Sequence, residues 1–323
     1  MGAIRNGREL RHVPIALDRH APAVVTALAV RSNGVVTPVR HVPVALHPLA
    51  FALYAGSDPV DDATELVLID ASTGGGSGSV RPDHAQHPLP EHAARLAVRR
   101  TGDIDIAGMR IVLYEPLAAT NGFQTVPRRW WTYALAGRAA ARSRRTAQGL
   151  GMSALELRAL DCYYVSPRPV YVVAVQHLDR SNLFPMDLVG PLTDDRFTLA
   201  LRTTSPSVVT MRVSRRVVLS IAPASWKDTV YTLGAHHKRA SIDASELPFR
   251  LGKSRTFALA VPEGVPGYRE IEILAEEAIG SHTFFVGRIV YLEEWSDPTA
   301  QLAHVSGLFA AWRNATGRPL EPA

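Results

Sequence analysis

The stretch Pro169–Ser205, PVYVVAVQHLDRSNLFPMDLVGPLTDDRFTLALRTTS, contains two short runs rich in Val, Leu and aromatic residues, Val170–Gln176 and Phe197–Leu201. Turn-forming residues such as Asp, Asn, Pro and Gly lie between and around them. Short apolar runs bounded in this way are typical of strands in a barrel or sandwich. Similar runs predict further strands at Ala23–Val30, Leu49–Tyr54, Leu66–Ile69, Arg110–Tyr114, Val217–Ile221, Glu270–Leu274 and Thr283–Tyr291. The sequence therefore predicts a mainly β protein.

Three segments favour helices that cover this β structure. Ser153–Leu160 begins with a potential N-cap residue and carries Glu156 at the capping-box position. Ser225–Leu233 begins with another potential cap. Thr299–Trp312 has apolar residues at helical spacing, which predicts one buried stripe.

Bulk composition limits the class of protein. The 323 residues are enough for two domains, and 35 Lys and Arg against 30 Asp and Glu give a net charge of +5. This modest charge is compatible with an anionic small molecule or with nucleic acid. Cys162 is the single cysteine, so no intramolecular disulfide can form. Apolar stretches such as Ala21–Val30 are about half the roughly 20 residues of a spanning helix, and we expect a cytoplasmic protein without a membrane partner.

The basic segment 128–151 separates two β-rich halves. It contains RRWW and several further arginines, few β-forming residues and bounding glycines, which favours a connection. We therefore predict an N-terminal domain at 1–127, a linker at 128–151 and a C-terminal domain at 152–323. Ser72–Pro90, with STGGGSGS and several prolines, favours a surface loop in the first half.

The two halves share an order of segments. PAVVTALAV, RSNGVVTPVR and PLAFALYAGS in residues 22–57 correspond to PVYVVAVQHL, RSNLFPMDLVGP and RFTLALRTTS in residues 169–205. We interpret this as an internal repeat in which the first half is a degenerate β-barrel. Coincidence between two ordinary β meanders is the alternative.

Four segments of the second half, in this order, carry a family resemblance: YYVSPRPVYVVAVQ, NLFPMDLVGPLTDD, RFTLALRTTS and AIGSHTFFVGRIVY. Together they resemble the flavin-reductase-like family, over roughly Leu155–Trp312. The resemblance implies an FMN-binding split β-barrel with a few covering helices, NADH or NADPH as the electron donor, and a homodimer with FMN near the subunit interface. In a chain with two barrels, the first half would either replace part of the partner's surface or extend the dimer. It lacks a matching RTTS or Gly-Ser-His turn, so we expect it to bind no flavin.

The resemblance assigns the flavin ring to the turn around Pro185. Proline interrupts a strand ladder and leaves neighbouring backbone groups free to bind a ring edge. The family commonly has a small hydroxyl residue here, where this chain has Met186 and Asp187. The predicted ring-binding residues are Asn182, Phe184, Pro185, Met186, Asp187 and Leu188.

A phosphate site is predicted at Arg202, Thr203, Thr204 and Ser205, where a guanidinium and three hydroxyls follow a strand. A solvated turn is the alternative, and a Lys-Asp-Thr that often assists in the family is missing at the matching place. His282 matches the family histidine beside the flavin and is the predicted catalytic residue.

Arg168 is a further candidate cofactor-binding residue, since it lies at the family's entry to the first barrel strand. It could face the flavin or nicotinamide, or belong to a rigid lead-in between two prolines. The cations at 236–239 either stabilise a helix C-terminus or, as a second possibility, contact a nicotinamide phosphate.

Other motifs give weaker indications. STGGGSGS lacks the third glycine of a dinucleotide fingerprint and the lysine of a phosphate loop. His84, His87 and His92, with Asp83 and Glu91, favour a surface loop over a metal site because prolines interrupt any helical array. Trp130 and Trp131 favour packing onto a domain, although a basic connector could also bind nucleic acid through Arg142, Arg144 and Arg145.

The leading hypothesis is an FMN-binding flavoprotein that transfers hydride from NADH or NADPH to flavin or a flavin-linked acceptor. Hydride transfer requires alignment of two rings more than an acid or a base, so the lack of a catalytic triad is expected. The alternative is a non-enzymatic barrel that has lost flavin and acts as an interaction scaffold. Nucleic-acid binding through the connector is the third, less favoured, hypothesis.

Overall fold

A computed structural model describes residues 12–18, 23–72, 90–143, 151–293 and 300–323. The strands in these residues are β1 (Val13–Leu17), β2 (Val25–Arg31), β3 (Val36–Pro38), β4 (Arg40–Leu46), β5 (Leu49–Ala55), β6 (Asp58–Pro59), β7 (Ala63–Asp70), β8 (Ala93–Ile106), β9 (Met109–Asn121), β10 (Arg168–Pro169), β11 (Tyr171–His177), β12 (Arg180–Met186), β13 (Val189–Pro191), β14 (Arg196–Arg202), β15 (Arg216–Ile221), β16 (Leu251–Lys253), β17 (Ala260–Pro262), β18 (Tyr268–Ile279), β19 (His282–Leu292) and β20 (Gln301–Val305). The helices are α1 (Val126–Ser143), α2 (Ala154–Tyr163), α3 (Pro206–Ser214), α4 (Lys227–Leu233) and α5 (Gly307–Ala315).

Two antiparallel sheets with matching strand order form the body of the protein. The first sheet runs β3-β2-β7-β8-β9-β5-β4, and the second runs β12-β11-β15-β18-β19-β14-β13. Taken in chain order, each sheet consists of a hairpin at one edge, a hairpin at the other edge and three strands between them. This confirms the mainly β class and the prediction that a related half-barrel precedes the split barrel.

The first sheet has a core that also takes in segments from beyond the connector. Phe51, Leu66 and Val112 of this sheet are fully buried and belong to one cluster with Leu160 of α2 and Phe309 of α5. The second sheet encloses its own cluster, which includes Phe184, Phe197 and Phe285. The two halves therefore interlock, because α2 and α5 follow the connector in sequence but pack with the first half.

A third cluster joins the halves face to face. Val42 and Val44 of β4 pack with Leu188, Phe284 and Val286 of the second half, and all five are nearly or completely buried. Alternation along β19 sends Phe284 and Val286 toward the first half and Phe285 into the barrel. The first half thus covers one face of the second sheet.

Two of the three predicted helices form largely as expected. Ser153 caps α2, with the reciprocal bonds of a capping box to Glu156. The helix predicted at Ser225–Leu233 begins with a 3-10 turn and becomes α4 at Lys227, and Ser225 is not its cap.

The helix predicted at Thr299–Trp312 is wrong in its first half. Residues 301–305 form β20, which pairs with β1 on one side and β10 on the other, and α5 begins only at Gly307 with Ser306 as its cap. Leu302, Ala303 and Val305 are fully buried. A short, mostly apolar run that is buried between two neighbouring strands cannot be distinguished from a segment of buried helix by periodicity alone.

The predicted connector is helical over the part that the structure describes. Trp130 and Trp131 of α1 are 65% and 57% exposed, and their rings pack edge to face at 5.3 Å. The expectation that they pack onto a domain is therefore wrong. Residues 144–150, with Arg144 and Arg145, lie outside the described residues. So do residues 73–89, which include most of the predicted surface loop with its glycine-rich motif, Asp83, His84 and His87. Among the described helices, none is long and apolar enough to cross a bilayer.

Candidate functional site

The outer edge of β12 is covered by the segment after α4. The carbonyl of Leu183 accepts a hydrogen bond from His236 Nδ1 at 2.8 Å, and that of Pro185 contacts His237 Nε2 at 2.7 Å. Outward-facing backbone groups on an edge strand belong to alternate residues, so the next outward amide after Pro185 is that of Asp187. Part of the strand edge that was predicted to bind a ligand is therefore already hydrogen-bonded within the protein. The amide of Asp187 is the next backbone group along this edge.

Asn182 holds the covering segment in place. Its Nδ2 donates to the carbonyls of His236 and Arg239 at 3.0 and 2.8 Å, and it lies 3.1 Å from Ser207 Oγ. Its Oδ1 accepts from the amide of Leu183 at 2.8 Å. The side chain is 3% exposed. Asn182 therefore joins protein segments, and its side chain has little capacity left for a ligand.

A cavity of about 200 Å³ lies against the Pro185 turn. Its walls are formed by Val170, Pro185, Met186, Asp187, Val230, Tyr231, Gly234, His237 and His304. A cavity of about 150 Å³ can hold benzene, so one ring fits in this space. Drug-sized ligands occupy about 300 Å³ or more, so a molecule as large as FMN would extend beyond it.

A buried charge cluster forms the floor of this region. Arg168, which is 5% exposed, donates from Nη2 to Asp187 Oδ2 at 2.8 Å, and its guanidinium lies 3.1 Å from the ring centroid of Tyr164. Burial alone would raise the pKa of Asp187, but Arg168 and then His304 hold that pKa well below its ordinary value. Burial and the charge of Arg168 lower the pKa of His41 to about 4. The cluster therefore contains one carboxylate balanced by one guanidinium.

An exposed polar corner follows β14. Arg202, Thr203 and Thr204 are exposed, and Ser205 stands at the N-cap of α3 without making the usual side-chain cap bond. Instead its hydroxyl donates to the carbonyl of His237 at 3.0 Å. A cation and hydroxyls beside an uncapped helix N-terminus form an arrangement that suits a phosphate.

His237 connects the corner to the cavity. Its carbonyl bonds Ser205 while its ring contacts the Pro185 carbonyl and packs 4.8 Å from the ring of Phe184. Burial is the largest cause that lowers the pKa of His237, with Arg202 adding to it, against opposing contributions from Pro185 and Asp187. The imidazole is therefore neutral at pH 7, and the two candidate ligand surfaces are adjacent.

His282 lies opposite Arg202 in the pairing of β14 with β19 and faces the first half. It is 2% exposed, its Nδ1 accepts from Ser281 Oγ at 2.9 Å, and the amide of Leu46 lies 3.4 Å away. Burial, followed by the charge of Arg202, lowers its pKa to about 4. At pH 7 the ring is a neutral group at the boundary between the halves.

The Gly280-Ser281 turn explains why His282 is held there. Gly280 has φ +55°, and the amide of Ser281 donates to the carbonyl of His47 at 2.8 Å. A Cβ at position 280 would lie 2.5 Å from that same carbonyl oxygen. His47 in turn contacts Glu156 at 2.6 Å. The turn before β19 therefore docks directly on the first half, which only glycine permits at this distance.

We expect Gly280→Ala to lower the free energy of unfolding by about 1–3 kcal/mol more than Gly56→Ala, since it adds overpacking to backbone strain. Gly56 is the matched control because its φ is +63° and no atom lies within 4 Å of an added Cβ. Urea unfolding of both variants measures the difference. Equal losses would show that the contact with His47 is unimportant.

The pKa of His282 predicts a pH effect on stability. Because the folded-state pKa is about 4 and the unfolded value is 6.5, the unfolded chain takes up this proton more readily. The stabilising effect is complete above pH 6.5 and is lost as the pH falls toward 4. Between pH 7 and pH 4.5, wild type should lose about 2–3 kcal/mol more than His282→Gln. Identical losses in urea unfolding would contradict a buried neutral His282.

A family model described as the flavin reductase like domain matches residues 163–313. Residues 163–313 are a flavin reductase-like domain. This confirms the resemblance found in the sequence, and the match supports a flavin-binding oxidoreductase.

Solved structures of several bacterial proteins are similar to part of the chain. An FMN-binding protein from Thermus thermophilus with bound 1-cyclohex-2-enone is 29% identical over 41% of this chain and 73% of that chain, with a TM-score of 0.36. The NADH:FAD oxidoreductase SgcE6 from Streptomyces globisporus is 16% identical over 47% and 88%, with a TM-score of 0.41. The styrene monooxygenase flavin reductase from Pseudomonas putida S12 is 15% identical over 45% and 91%, with a TM-score of 0.37. No curated protein matches the sequence.

The predicted site residues of the flavin reductase-like domain fall into four groups. Pro185, Met186 and Asp187 line the cavity. Arg202, Thr203 and Thr204 form the exposed corner, with Ser205 beneath them. Arg168 pairs with Asp187 under the cavity. Asn182, Phe184, Leu188 and His282 are buried in contacts within the protein.

Sequence reasoning missed Tyr231 and His304, which line the same cavity. Tyr231 lies on α4 and His304 on β20, 73 residues apart. His304 fell within the segment interpreted as a helix, which hid its place in a strand. A strand prediction for residues 301–305 would have been the one available signal.

Proposed function

We propose that the chain binds FMN at the Arg202 corner and the Pro185 turn, and takes hydride from NADH or NADPH. The observation that carries this proposal is the adjacency of the two surfaces through His237, which contacts Ser205 on one side and Pro185 on the other. A phosphate and a ring of one ligand can therefore be bound at the same time.

The residues present fit FMN in their chemistry. Arg202 supplies a cation, and Thr203 and Thr204 supply hydroxyls for the phosphate. The cavity is too small to enclose the whole cofactor, so the ring would be held at its mouth, against Met186 and the outward amide of Asp187. FMN, when bound, supplies the ring that accepts hydride.

The protein's own contribution is to bind and orient. His282, neutral and buried beside Arg202, is proposed to hold the corner by position and not by proton transfer, since an imidazole with a pKa of about 4 is not in its acidic, protonated form at pH 7. Met186 and Val230 give the cavity an apolar wall. Met186 and Asp187 stand where the family commonly has a small hydroxyl residue. This difference is compatible with the arrangement because the main chain can make the contact with the flavin ring.

The first half is proposed to take the place of a partner subunit's surface. Its β4 packs on the face formed by Phe284 and Val286, next to His282. Its own equivalent of the corner is missing, because β5 ends at Ala55 and leads into the two-residue strand β6, whereas β14 leads into α3. One flavin per chain follows. The homodimer that the resemblance implies stays a prediction, for which light scattering of the purified protein is the measurement.

Anaerobic mixing with NADH or NADPH tests the electron donor. The flavin reductase-like domain, loaded with FMN, should lose the absorption of oxidised flavin within seconds to minutes of adding one of the two nucleotides. Bound FMN that neither nucleotide bleaches would leave a flavoprotein with another donor. Failure to bind FMN would favour the scaffold hypothesis.

A further inference from the structure

Three side chains connect the buried charge cluster to the cavity. The hydroxyl of Tyr231 lies 3.2 Å from His304 Nε2, and His304 Nδ1 lies 2.8 Å from Asp187 Oδ2. Asp187 is paired in turn with Arg168. Tyr231 is 49% exposed, whereas the side chain of His304 is 16% exposed and Arg168 is 5% exposed. The line of contacts therefore runs from the interior to the cavity.

The charge of Asp187 fixes the direction of these hydrogen bonds. A carboxylate only accepts, so His304 Nδ1 carries the proton and donates it. In neutral His304, Nε2 then has a lone pair that accepts the hydrogen of Tyr231. In protonated His304, Nε2 donates to the Tyr231 oxygen, which frees the tyrosine hydrogen for a ligand. A carboxylate that orients a histidine beside a hydroxyl is the arrangement that moves protons in hydrolase triads.

The cavity walls indicate what the ligand looks like. Val170, Met186 and Val230 are apolar, and the volume of about 200 Å³ suits a single ring with small substituents. The hydroxyl of Tyr231 is the hydrogen-bonding group at the end of the line of contacts. An apolar ring that carries one hydroxyl or carbonyl oxygen matches both features.

We propose that Asp187, His304 and Tyr231 form a proton relay, and that the cavity takes a single-ring compound whose hydroxyl or carbonyl oxygen exchanges a proton with Tyr231. The identity of this compound as a hydride acceptor rests on the proposed function. A conjugated carbonyl compound would receive on carbon the hydride that reduced flavin supplies when bound, and its carbonyl π pair would move to oxygen. The oxygen takes the Tyr231 proton, Tyr231 takes the Nε2 proton of protonated His304, and His304 is left neutral with Nδ1–H still bonded to Asp187. The product is the hydroxyl compound.

The surroundings of the relay are compatible with a proton that stays in it. His12 stacks near His304 at 6.2 Å, and Arg168 and Asp187 balance one another. His237 also lines the cavity, and its pKa is lowered mainly by burial. Burial, followed by the charge of Asp187, raises the pKa of Tyr231, so Tyr231 stays neutral between its proton exchanges.

The test uses flavin-free protein and 4-nitrophenol, a phenol about as acidic as imidazolium whose anion is yellow. We expect saturable binding, with phenolate absorption rising on binding at a pH where the free probe is mostly protonated. Tyr231→Phe should weaken binding about tenfold, the loss of about 1.4 kcal/mol, and remove the colour change. His304→Gln can still donate to Asp187 and accept from Tyr231 but binds no proton, so it should retain binding and lose the colour change.

Tyr291→Phe is the matched control, because this tyrosine lies on β19 away from the cavity and should behave as wild type. The proposal is overturned if wild type shows no saturable binding, or if Tyr231→Phe and His304→Gln match wild type in both affinity and colour. Because no flavin is present, the outcome is independent of FMN binding. Repeating the titration with FMN then shows whether the ring compound and flavin bind together, as a hydride acceptor must, or exclude one another, which would contradict the acceptor role.

Discussion

Arg168→Met is expected to lower the free energy of unfolding by about 3–5 kcal/mol, the loss typical when one member of a buried ion pair is removed. The variant leaves Asp187 with His304 as its one remaining side-chain partner in the described residues. It also removes the contact with the Tyr164 ring. Urea unfolding at pH 7 measures the effect.

Arg288→Met is the matched control for this prediction. Its side chain is 53% exposed and pairs with Glu272 at 2.6 Å, so its loss should cost at most about 1 kcal/mol. Arg168→Met combined with Asp187→Leu should lose less stability than Arg168→Met alone, because no unpaired carboxylate remains. A loss below about 1 kcal/mol for Arg168→Met would contradict the buried pair.

The stability of the protein at low pH should also depend on the Arg168–Asp187 pair. The pKa of Asp187 is depressed in the folded state, so its stabilising effect is present above the unfolded value near 3.8 and is lost as the pH falls through the folded-state pKa. Arg168→Met removes the largest cause of the depression. The difference in stability between wild type and Arg168→Met should therefore shrink below pH 3.8.

Arg202→Ala is expected to weaken FMN binding about 10- to 100-fold and to leave riboflavin binding within a factor of about two. Hydrogen bonds to charged groups contribute about 1.5–3 kcal/mol, and riboflavin lacks the phosphate that Arg202 would contact. Fluorescence titration of both flavins gives the ratio of their dissociation constants. In wild type FMN should bind more tightly, and in the variant the two should become nearly equal.

Arg212→Ala serves as the control for Arg202→Ala. Arg212 lies toward the end of α3, is 51% exposed and pairs with Glu276 away from the corner. It should alter neither flavin's affinity appreciably. If Arg202→Ala weakens both flavins equally, the corner does not bind the phosphate.

Much of the fold could be predicted because it depends on local pattern. The apolar run Thr283–Tyr291 predicted β19, and Ser153 with Glu156 predicted the start of α2. The Gly-Ser-His turn was recognised as special, although its cause is a contact with His47 more than 230 residues earlier. No pattern near Gly280 carries that information.

The charged part of the site could not be predicted in the same way. Arg168 and Asp187 were each assigned to a cofactor, and the structure pairs them with one another. Tyr231 and His304 are 73 residues apart, and the pairing of β20 with both β1 and β10 places His304 where it meets Tyr231. Such pairs depend on chain topology, which periodicity within a window of residues does not encode.

Titration of the flavin-free chain with FMN, followed by quenching of flavin fluorescence, tests the central claim most directly. We expect saturable binding with one FMN per chain, because the second half has the corner beside α3 and the first half has no equivalent helix after β5. No saturable binding, or two FMN per chain, would contradict it.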